Sequence, residues 1–267
     1  MPASIPVVVH GASGRMGQQL LRMLAHSPGL QLAAALVRSE SAVCGACVDP
    51  LRPDGLRYTS ALTAAVAGGV MVDFSSAAAF DAALALARER GLGFVSGTTG
   101  LDARQRQALQ QASGEIAVLW SANFSIGIAV LTRLVREAAR TLQGWDCEII
   151  EAHHGRKLDA PSGTALALGR AVAAARGQDF DTVAAIARSG SQAPRQAGQI
   201  GFAALRAGDI VGEHEVWLAT AGERLELVHR ASDRSLFARG ALTAARWLAA
   251  RPAGCYDFGA VVADPGA

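Results

Sequence analysis

Two rhythms of apolar and polar positions run along this chain. Val7-Val-Val-His10 is a short β-branched run. Met16, Leu20, Met23 and Leu24 then recur at helical spacing until Pro28-Gly29, and Leu32-Ala-Ala-Ala-Leu-Val37 is extended again. The spacing predicts a strand, a helix and a second strand. Beyond it, Val70-Met-Val-Asp-Phe74 reads as a buried strand, 77–90 as a helix, Gly93-Phe-Val-Ser96 as a strand, 101–113 as a helix and Ile116-Ala-Val-Leu-Trp120 as a strand. Strand and helix alternate throughout this part, which predicts an α/β fold with a doubly wound parallel sheet. Ligands of such sheets lie at the carboxyl ends of the strands.

The character changes near residue 125. A long helix over 126–142 leads to a strand at Cys147 to Glu151, then a polar segment and a helix reaching about Arg176. Three strand-rich stretches follow, Ile200-Gly-Phe-Ala-Ala-Leu205, Glu213-His-Glu-Val-Trp-Leu218 and Glu223-Arg-Leu-Glu-Leu-Val-His229. This predicts a second, α+β domain. Ser189 to Gln199, rich in Gly, Ser, Gln, Pro and Arg, reads as a flexible loop. Ser232-Asp-Arg-Ser235 can cap a last helix over 236–250, whose Phe237, Leu242 and Trp247 are suited to pack back on the first domain. The expected division is 1–124 with 235–267, and 125–234.

Composition narrows the function classes. The chain has 267 residues and a net charge of +2, with arginines scattered and no basic block or aromatic ladder for nucleic acid. No apolar run reaches the ~18 residues of a membrane span, and the first residues lack the pattern of a signal peptide. A cytoplasmic protein that binds small anions is expected. Cys44-Gly-Ala-Cys47 has the spacing of a redox or zinc pair, but no second pair completes a metal site and Asp49-Pro50 blocks the helix a redox motif would open. Small apolar filler is the expected role of the cysteines, and no metal is expected.

Two segments carry chemistry. Gly11-Ala-Ser-Gly-Arg-Met-Gly17 stands directly after the first strand and opens a helix, where glycines let backbone and helix amino terminus approach a pyrophosphate. The second is Glu151-Ala-His-His-Gly-Arg-Lys-Leu-Asp-Ala-Pro-Ser-Gly-Thr164. It holds Lys157, the one lysine among 25 basic residues, where an ammonium offers a compact charge and a proton that a guanidinium cannot give up. His153 and His154 are adjacent, so in extended backbone they point to opposite faces. Asp159 or Ser162 is a possible cap, and Pro161 lies near the first turn of the helix that follows. Lys157, two imidazoles and the N–H groups of Gly163 and Thr164 together suit a carboxylate or phosphate beside a proton donor. Either histidine alone would more often be a hydrogen-bonded structural residue; the constellation favours a site.

With the glycine loop, GTTG (97–100), SANFSIG (121–127), EIIEAHHGRKLDAPSGTA (148–165) and RAGDIVGEHEV (206–216) in this order, the chain resembles the dihydrodipicolinate reductase family over nearly its full length. The resemblance implies a Rossmann-type domain that takes NADH or NADPH, and a substrate domain that forms a homotetramer. It implies His153 as general acid and Lys157 as second proton donor or carboxylate anchor. His154, Ser162, Gly163 and Thr164 would hold a cyclic dicarboxylate. Gly11, Ala12, Ser13, Gly14, Arg15, Met16 and Gly17, with Gly97, Thr98 and Thr99 and with Ser121, Ala122, Asn123 and Phe124, would line the cofactor.

One departure bears on the cofactor. Many relatives carry an acidic residue after the second strand, where it accepts hydrogen bonds from the adenosine ribose; here Val37 stands there, followed by Arg38. Arg38, with Arg15, can pair with a ribose phosphate, which tilts the expectation to NADPH; the bland alternative is a solvated strand end. Two rivals remain to weigh. A short-chain dehydrogenase needs a Tyr-x-x-x-Lys pair, but the tyrosines are Tyr58 and Tyr256, and four residues before Lys157 is His153. A non-catalytic nicotinamide-dinucleotide-sensing protein on the same fold would not need the His-x-x-x-Lys and Pro-Ser-Gly-Thr segment.

Overall fold

The computed structural model describes residues 4–63 and 66–264. In chain order the elements are β1 (Ile5–His10), α1 (Arg15–Leu24), β2 (Leu30–Leu36), β3 (Tyr58–Thr59), β4 (Val70–Asp73), α2 (Ala77–Glu89), β5 (Gly93–Ser96), α3 (Ala103–Ala112) and β6 (Ala117–Trp120). There follow α4 (Ile126–Thr141), β7 (Asp146–His153), α5 (Gly163–Ala175), α6 (Phe180–Val183), β8 (Ala184–Ala185), β9 (Ile200–Arg206), β10 (Gly212–Thr220) and β11 (Glu223–Ala231). The chain closes with α7 (Ser235–Leu248), β12 (Gly254–Tyr256) and α8 (Phe258–Ala263). It divides into two compact units, one up to Phe124 joined by the residues from Ser235 on, the other Ser125–Arg234.

The first unit is a seven-stranded sheet of order β12-β6-β5-β4-β1-β2-β3, parallel at every pairing. This is the Rossmann-type doubly wound arrangement, and its strand order reverses between β1 and β4, the place beyond whose carboxyl ends such sheets bind ligands. Both faces of the sheet are covered, and the strands accordingly read as continuous apolar runs. Val8, Met71, Phe94 and Val118 join Phe80, Leu84 and Ala87 of α2 and Leu109 and Ala112 of α3 in one core cluster. On the other side α7 packs against α1 and against β4, β5 and β6.

The face of α7 differs from its sequence reading. Leu242 and Trp247 are buried, but Phe237 is only half-buried, and small residues fill the contact instead: Ala238, Gly240, Ala241, Ala244 and Ala245. At Gly240 an added Cβ would collide with the Phe124 carbonyl, so the helix comes closer than any side chain allows. The alternation of strand and helix also fails once. Between β2 and β4 the described residues hold turns and the two-residue β3 but no helix, as the prolines and glycines of 45–55 dictate. Cys44 and Cys47 lie there, half-buried and free. Filler suits Cys147 better: it is fully buried, and burial pushes its thiol up to about 12.

In the second unit the sheet runs β11-β10-β7-β9-β8, antiparallel across β10 and parallel from β7 to β8. Helices α4 and α5 cover one face. Ile128, Leu131 and Val135 of α4 and Ala165, Leu168 and Val172 of α5 share a cluster with Cys147, Ile149, Ile200, Phe202, Val216 and Leu218. Burial of each large side chain contributes roughly 1.5–3 kcal/mol relative to exposure, which holds the start of α5 firmly over β7. The 189–199 segment is a loop without helix or strand, yet its edges are tied down. Arg188 and Arg195 both pair with Glu148 of β7, and Arg195 also pairs with Asp146.

Candidate active site

In the first unit the glycine loop lies between β1 and α1, at the strand-order reversal. Gly11 has φ +76°, a conformation that only glycine adopts cheaply, and a Cβ there would stand 2.8 Å from the Phe74 carbonyl oxygen after β4. Gly17 lies against the backbone of Gly11 and Ala12, at the approach of helix to strand. Gly14 is the N-cap of α1, and no side chain caps the helix; its first turn has no acidic residue and begins with exposed Arg15. Uncapped amides, the positive end of the helix dipole and a guanidinium therefore meet at one point. That cradle fits the pyrophosphate of a dinucleotide.

Beside it is a polar network that sequence reading missed. Asp73 is fully buried at the end of β4. Its Oδ1 lies 2.8 Å from His10 Nδ1 and accepts from the Ser75 hydroxyl at 2.6 Å; its Oδ2 accepts from the hydroxyls of Ser96 at 2.9 Å and Thr98 at 2.8 Å. Burial works to raise this carboxyl, but the bonds from His10, Ser75 and Thr98 outweigh it and hold it below the usual range. One carboxylate thus ties together the carboxyl ends of β1, β4 and β5. Thr98 is turned inward as a result, its carbonyl also taking the Trp120 indole N–H at 2.8 Å. Ala12 and Phe124 are buried as well, Phe124 between the rings of Phe74 and Phe258. These three shape the loops from within, while Ser13, Gly14, Arg15, Thr99 and Ala122 are exposed and Met16, Gly97, Ser121 and Asn123 are partly so. Arg38 is exposed beyond β2, 3.5 Å from Glu40.

In the second unit β7 runs two residues further than its apolar pattern predicts, so His153 is its last residue and His154 the first beyond it. Register does the rest: His153 pairs across to Arg206 of β9, and Glu151 to His214 of β10. Glu151 is 1% exposed. Its Oε2 lies 2.5 Å from His153 Nδ1 and accepts from Arg206 Nη1 at 2.9 Å; its Oε1 accepts from Arg206 Nη2 at 2.7 Å and from the Ser162 amide at 3.1 Å. An isolated buried carboxylate would be costly; four donors make it tolerable. Burial works to raise its pKa, but Arg206 and His153 overcome that and keep it below the usual range.

Ser162, not Asp159, caps α5. Its hydroxyl accepts from the Ala165 amide at 3.2 Å and lies 3.1 Å from His214 Nε2, so it serves the fold, and Pro161 precedes the cap and stays outside the first turn. Asp159 instead takes the Lys157 ammonium, at 2.8 and 2.9 Å to its two oxygens. Arg206 Nη2 also donates to the Asp159 carbonyl at 2.6 Å, linking the lysine turn to the histidine strand. His214 is buried, its ring edge-on to that of His153 with centroids 5.2 Å apart; burial, reinforced by the charge of His153, pushes its pKa down to about 4. His154 has its Nδ1 buried and unpartnered; burial and the nearby Arg234 and Arg156 lower its pKa. The structure therefore joins His153, Lys157 and the start of α5. Glu151, Arg206 and His214, which bind them together, had no assigned role in the sequence reading. Strand register alone brings the last two in. Among the described residues no cluster of His, Cys, Asp and Glu could hold a metal ion, and no helix is long and apolar enough to cross a membrane.

Comparison with known proteins covers both units. The family model for the dihydrodipicolinate reductase N-terminus matches residues 5–124, and that for the C-terminus matches 127–262. The 4-hydroxy-tetrahydrodipicolinate reductase of Xanthomonas euvesicatoria is 48% identical over 95% of this chain and 96% of its own. That of Stenotrophomonas maltophilia K279a is 49% identical over 94% of each. Among solved structures, a dipicolinate-bound dihydrodipicolinate reductase from Paenisporosarcina sp. TG-14 superposes with a TM-score of 0.73 at 20% identity, covering 95% of this chain and 97% of that one, and shares its fold. Matched through both of its units and at nearly half identity over almost its whole length, the chain belongs to the dihydrodipicolinate reductase family.

Proposed function

We propose that this chain is a pyridine-nucleotide-dependent oxidoreductase that reduces 4-hydroxy-tetrahydrodipicolinate to tetrahydrodipicolinate in the diaminopimelate route to lysine. The observation that carries the reading is a histidine held by a buried carboxylate beside the start of α5 and a lysine, which is the equipment for protonating a dianionic substrate. The nicotinamide nucleotide, when bound, supplies the hydride. His153 gives the proton that the reduced ring then takes up. Lys157 leaves Asp159 for a substrate carboxylate that the first-turn amides of Gly163 and Thr164 also meet. His154 contributes at the rim, and Ser162 acts by fixing the helix start. A non-catalytic dinucleotide sensor would have no use for this arrangement.

The glycine loop from Gly11 to Gly17 takes the pyrophosphate, with Gly97, Thr99 and Ser121 to Asn123 beyond it. NADPH is preferred over NADH, because Arg38 and Arg15 can meet a ribose phosphate and Val37 offers no acceptor to a ribose hydroxyl. The protein works in the cytoplasm as a homotetramer. Support for assembly comes from the face of the five-stranded sheet turned away from α4 and α5. By strand alternation it carries Ile150, Ala152, Leu205, Trp217 and Val228, with Leu205 56% and Val228 39% exposed. Light scattering on the purified protein tests the assembly. Nucleotide oxidation that depends on enzymatically generated 4-hydroxy-tetrahydrodipicolinate tests the activity, and nucleotide binding with no turnover would restore the sensor.

A further inference from the structure

We propose that Glu151, gripped by Arg206, is the positioning residue of the reaction: it fixes His153 in one protonation pattern and fastens it to the start of α5. The inference rests on His153 being the proton donor and adds the device that makes it one. A carboxylate has four good acceptor sites, two on each oxygen. In Glu151 three are taken by groups that can only donate, two Arg206 N–H groups and the Ser162 amide. The fourth faces His153 Nδ1 at 2.5 Å. An imidazole lone pair at that place would point at an anion, so Nδ1 carries its proton and Nε2 is left as the nitrogen that exchanges one. The carboxylate also holds the ring in one orientation for the proton transfer.

The grip sets geometry as well. Arg206 meets both carboxylate oxygens in a fork, which leaves Glu151 one orientation. The same oxygen that takes Arg206 Nη2 takes the Ser162 amide, and the same guanidinium nitrogen holds the Asp159 carbonyl at 2.6 Å. Proton donor, lysine turn and anion-binding helix start are thus referred to one buried group. A general acid displaced by even about 1 Å from its reacting partner can lose on the order of 10² in rate, so such a common anchor has kinetic value.

Glu151→Gln is the test, because it keeps the shape and changes one acceptor to an amide NH₂. Either oxygen takes one Arg206 N–H, so the NH₂ opposes an arginine donor wherever it lies; on the Oε1 side it would oppose the Ser162 amide as well, whereas on the Oε2 side His153 can change tautomer and accept. The NH₂ therefore faces His153, and Nδ1 becomes an acceptor. Expected is a fall in kcat of ~10²–10⁴-fold, the worth of a positioned general acid, whose upper end is the ~10⁴ lost when a triad histidine is held in the wrong tautomer. Substrate KM stays within about threefold and nucleotide affinity is unchanged, while the ¹⁵N spectrum of labelled protein moves the His153 proton from Nδ1 to Nε2. A kcat within about threefold of the parent, or an unmoved proton, overturns the proposal. Should that variant not fold, Arg206→Lys serves instead: a single ammonium cannot hold both oxygens, and kcat should fall at least ~10-fold. His153→Gln measured in parallel separates the two readings. If it stays active, the acid assignment itself is wrong; if it is dead and Glu151→Gln is active, only the positioning role is.

Discussion

Gly212, at the start of β10, lies over the outer nitrogen of His153: a Cβ built on it would stand 3.1 Å from Nε2. Its backbone φ is not in the left-handed region, so the glycine is there for space and not for conformation. Gly212→Ala should crowd the one nitrogen of His153 that Glu151 leaves open. The expected result is a loss in kcat/KM of ~10–10²-fold with a melting temperature close to the parent's. Near-normal turnover would mean that Nε2 is not the nitrogen that meets substrate.

Arg38 is 81% exposed and pairs loosely with Glu40 at 3.5 Å. A phosphate on the adenosine ribose would displace that carboxylate, since it carries more charge and more acceptors. Arg38→Ala is expected to weaken NADPH by roughly threefold to fivefold, the upper part of the range for an exposed ion pair, and to leave NADH unchanged. Glu40→Gln should tighten NADPH by removing the competitor. Titrations of both nucleotides against the three proteins decide it; equal losses for NADPH and NADH on removing Arg38 would exclude the phosphate contact.

His214 gives stability a pH dependence whose sign is fixed. Its ordinary value is 6.5, and burial brings it down to about 4 in the folded protein. Between these two values the unfolded chain takes up a proton that the native one refuses. Stability is therefore full above about pH 6.5 and falls as pH drops toward 4, by about 1.4 kcal/mol per pH unit and ~3 kcal/mol in all. Asp73 and Glu151, both held below the usual carboxylate range, lose their contributions only at lower pH still, as each is finally protonated. In urea unfolding at pH 7 and pH 5, His214→Gln should show a pH slope about one proton smaller than the parent. Identical slopes would show that this imidazole is not the buried neutral group.

Legibility followed locality. The strands β1, β2, β4, β5 and β6 are β-branched or apolar runs bounded by Gly, Pro and polar residues, and they could be read directly, with ends within two residues. β12 could not: Gly254-Cys-Tyr256 has no strand pattern of its own and is a strand only because Cys255 pairs with Val118 of β6. In the second unit His153, Lys157 and Ser162 stand within one short segment and were legible together. Arg206 is 55 residues from Glu151, and His214 is 52 from Ser162, so only the pairing of β9 and β10 with β7 reveals them. Thr98 and Phe124 show the converse. Their motifs drew attention to the right loops, but whether a side chain in such a loop turns out or in depends on partners such as Asp73 and Phe258 far along the chain.

Lys157 keeps its ammonium on both oxygens of Asp159, and the lysine side chain is 21% exposed while that of Asp159 is 60% exposed. The pair is therefore poised to exchange: the lysine stem is packed, and the exposed anion it holds can be replaced by one on a substrate. Lys157→Arg preserves the charge and matches all other basic positions of the chain, so it isolates what the ammonium does beyond being positive. A guanidinium would keep Asp159 in a two-pronged grip that a substrate carboxylate must break, it is too broad to sit end-on beside a carboxylate already met by the amides of Gly163 and Thr164, and it does not release a proton. The expected fall in kcat/KM is at least ~10²-fold, near the low end for a positioned proton donor. If Lys157 were a generic rim cation, the exchange would cost under about 1 kcal/mol and the arginine enzyme would work almost normally. Steady-state kinetics of Lys157→Arg, with thermal melts to confirm folding, distinguishes these outcomes, and a near-normal arginine enzyme would remove the lysine from the mechanism.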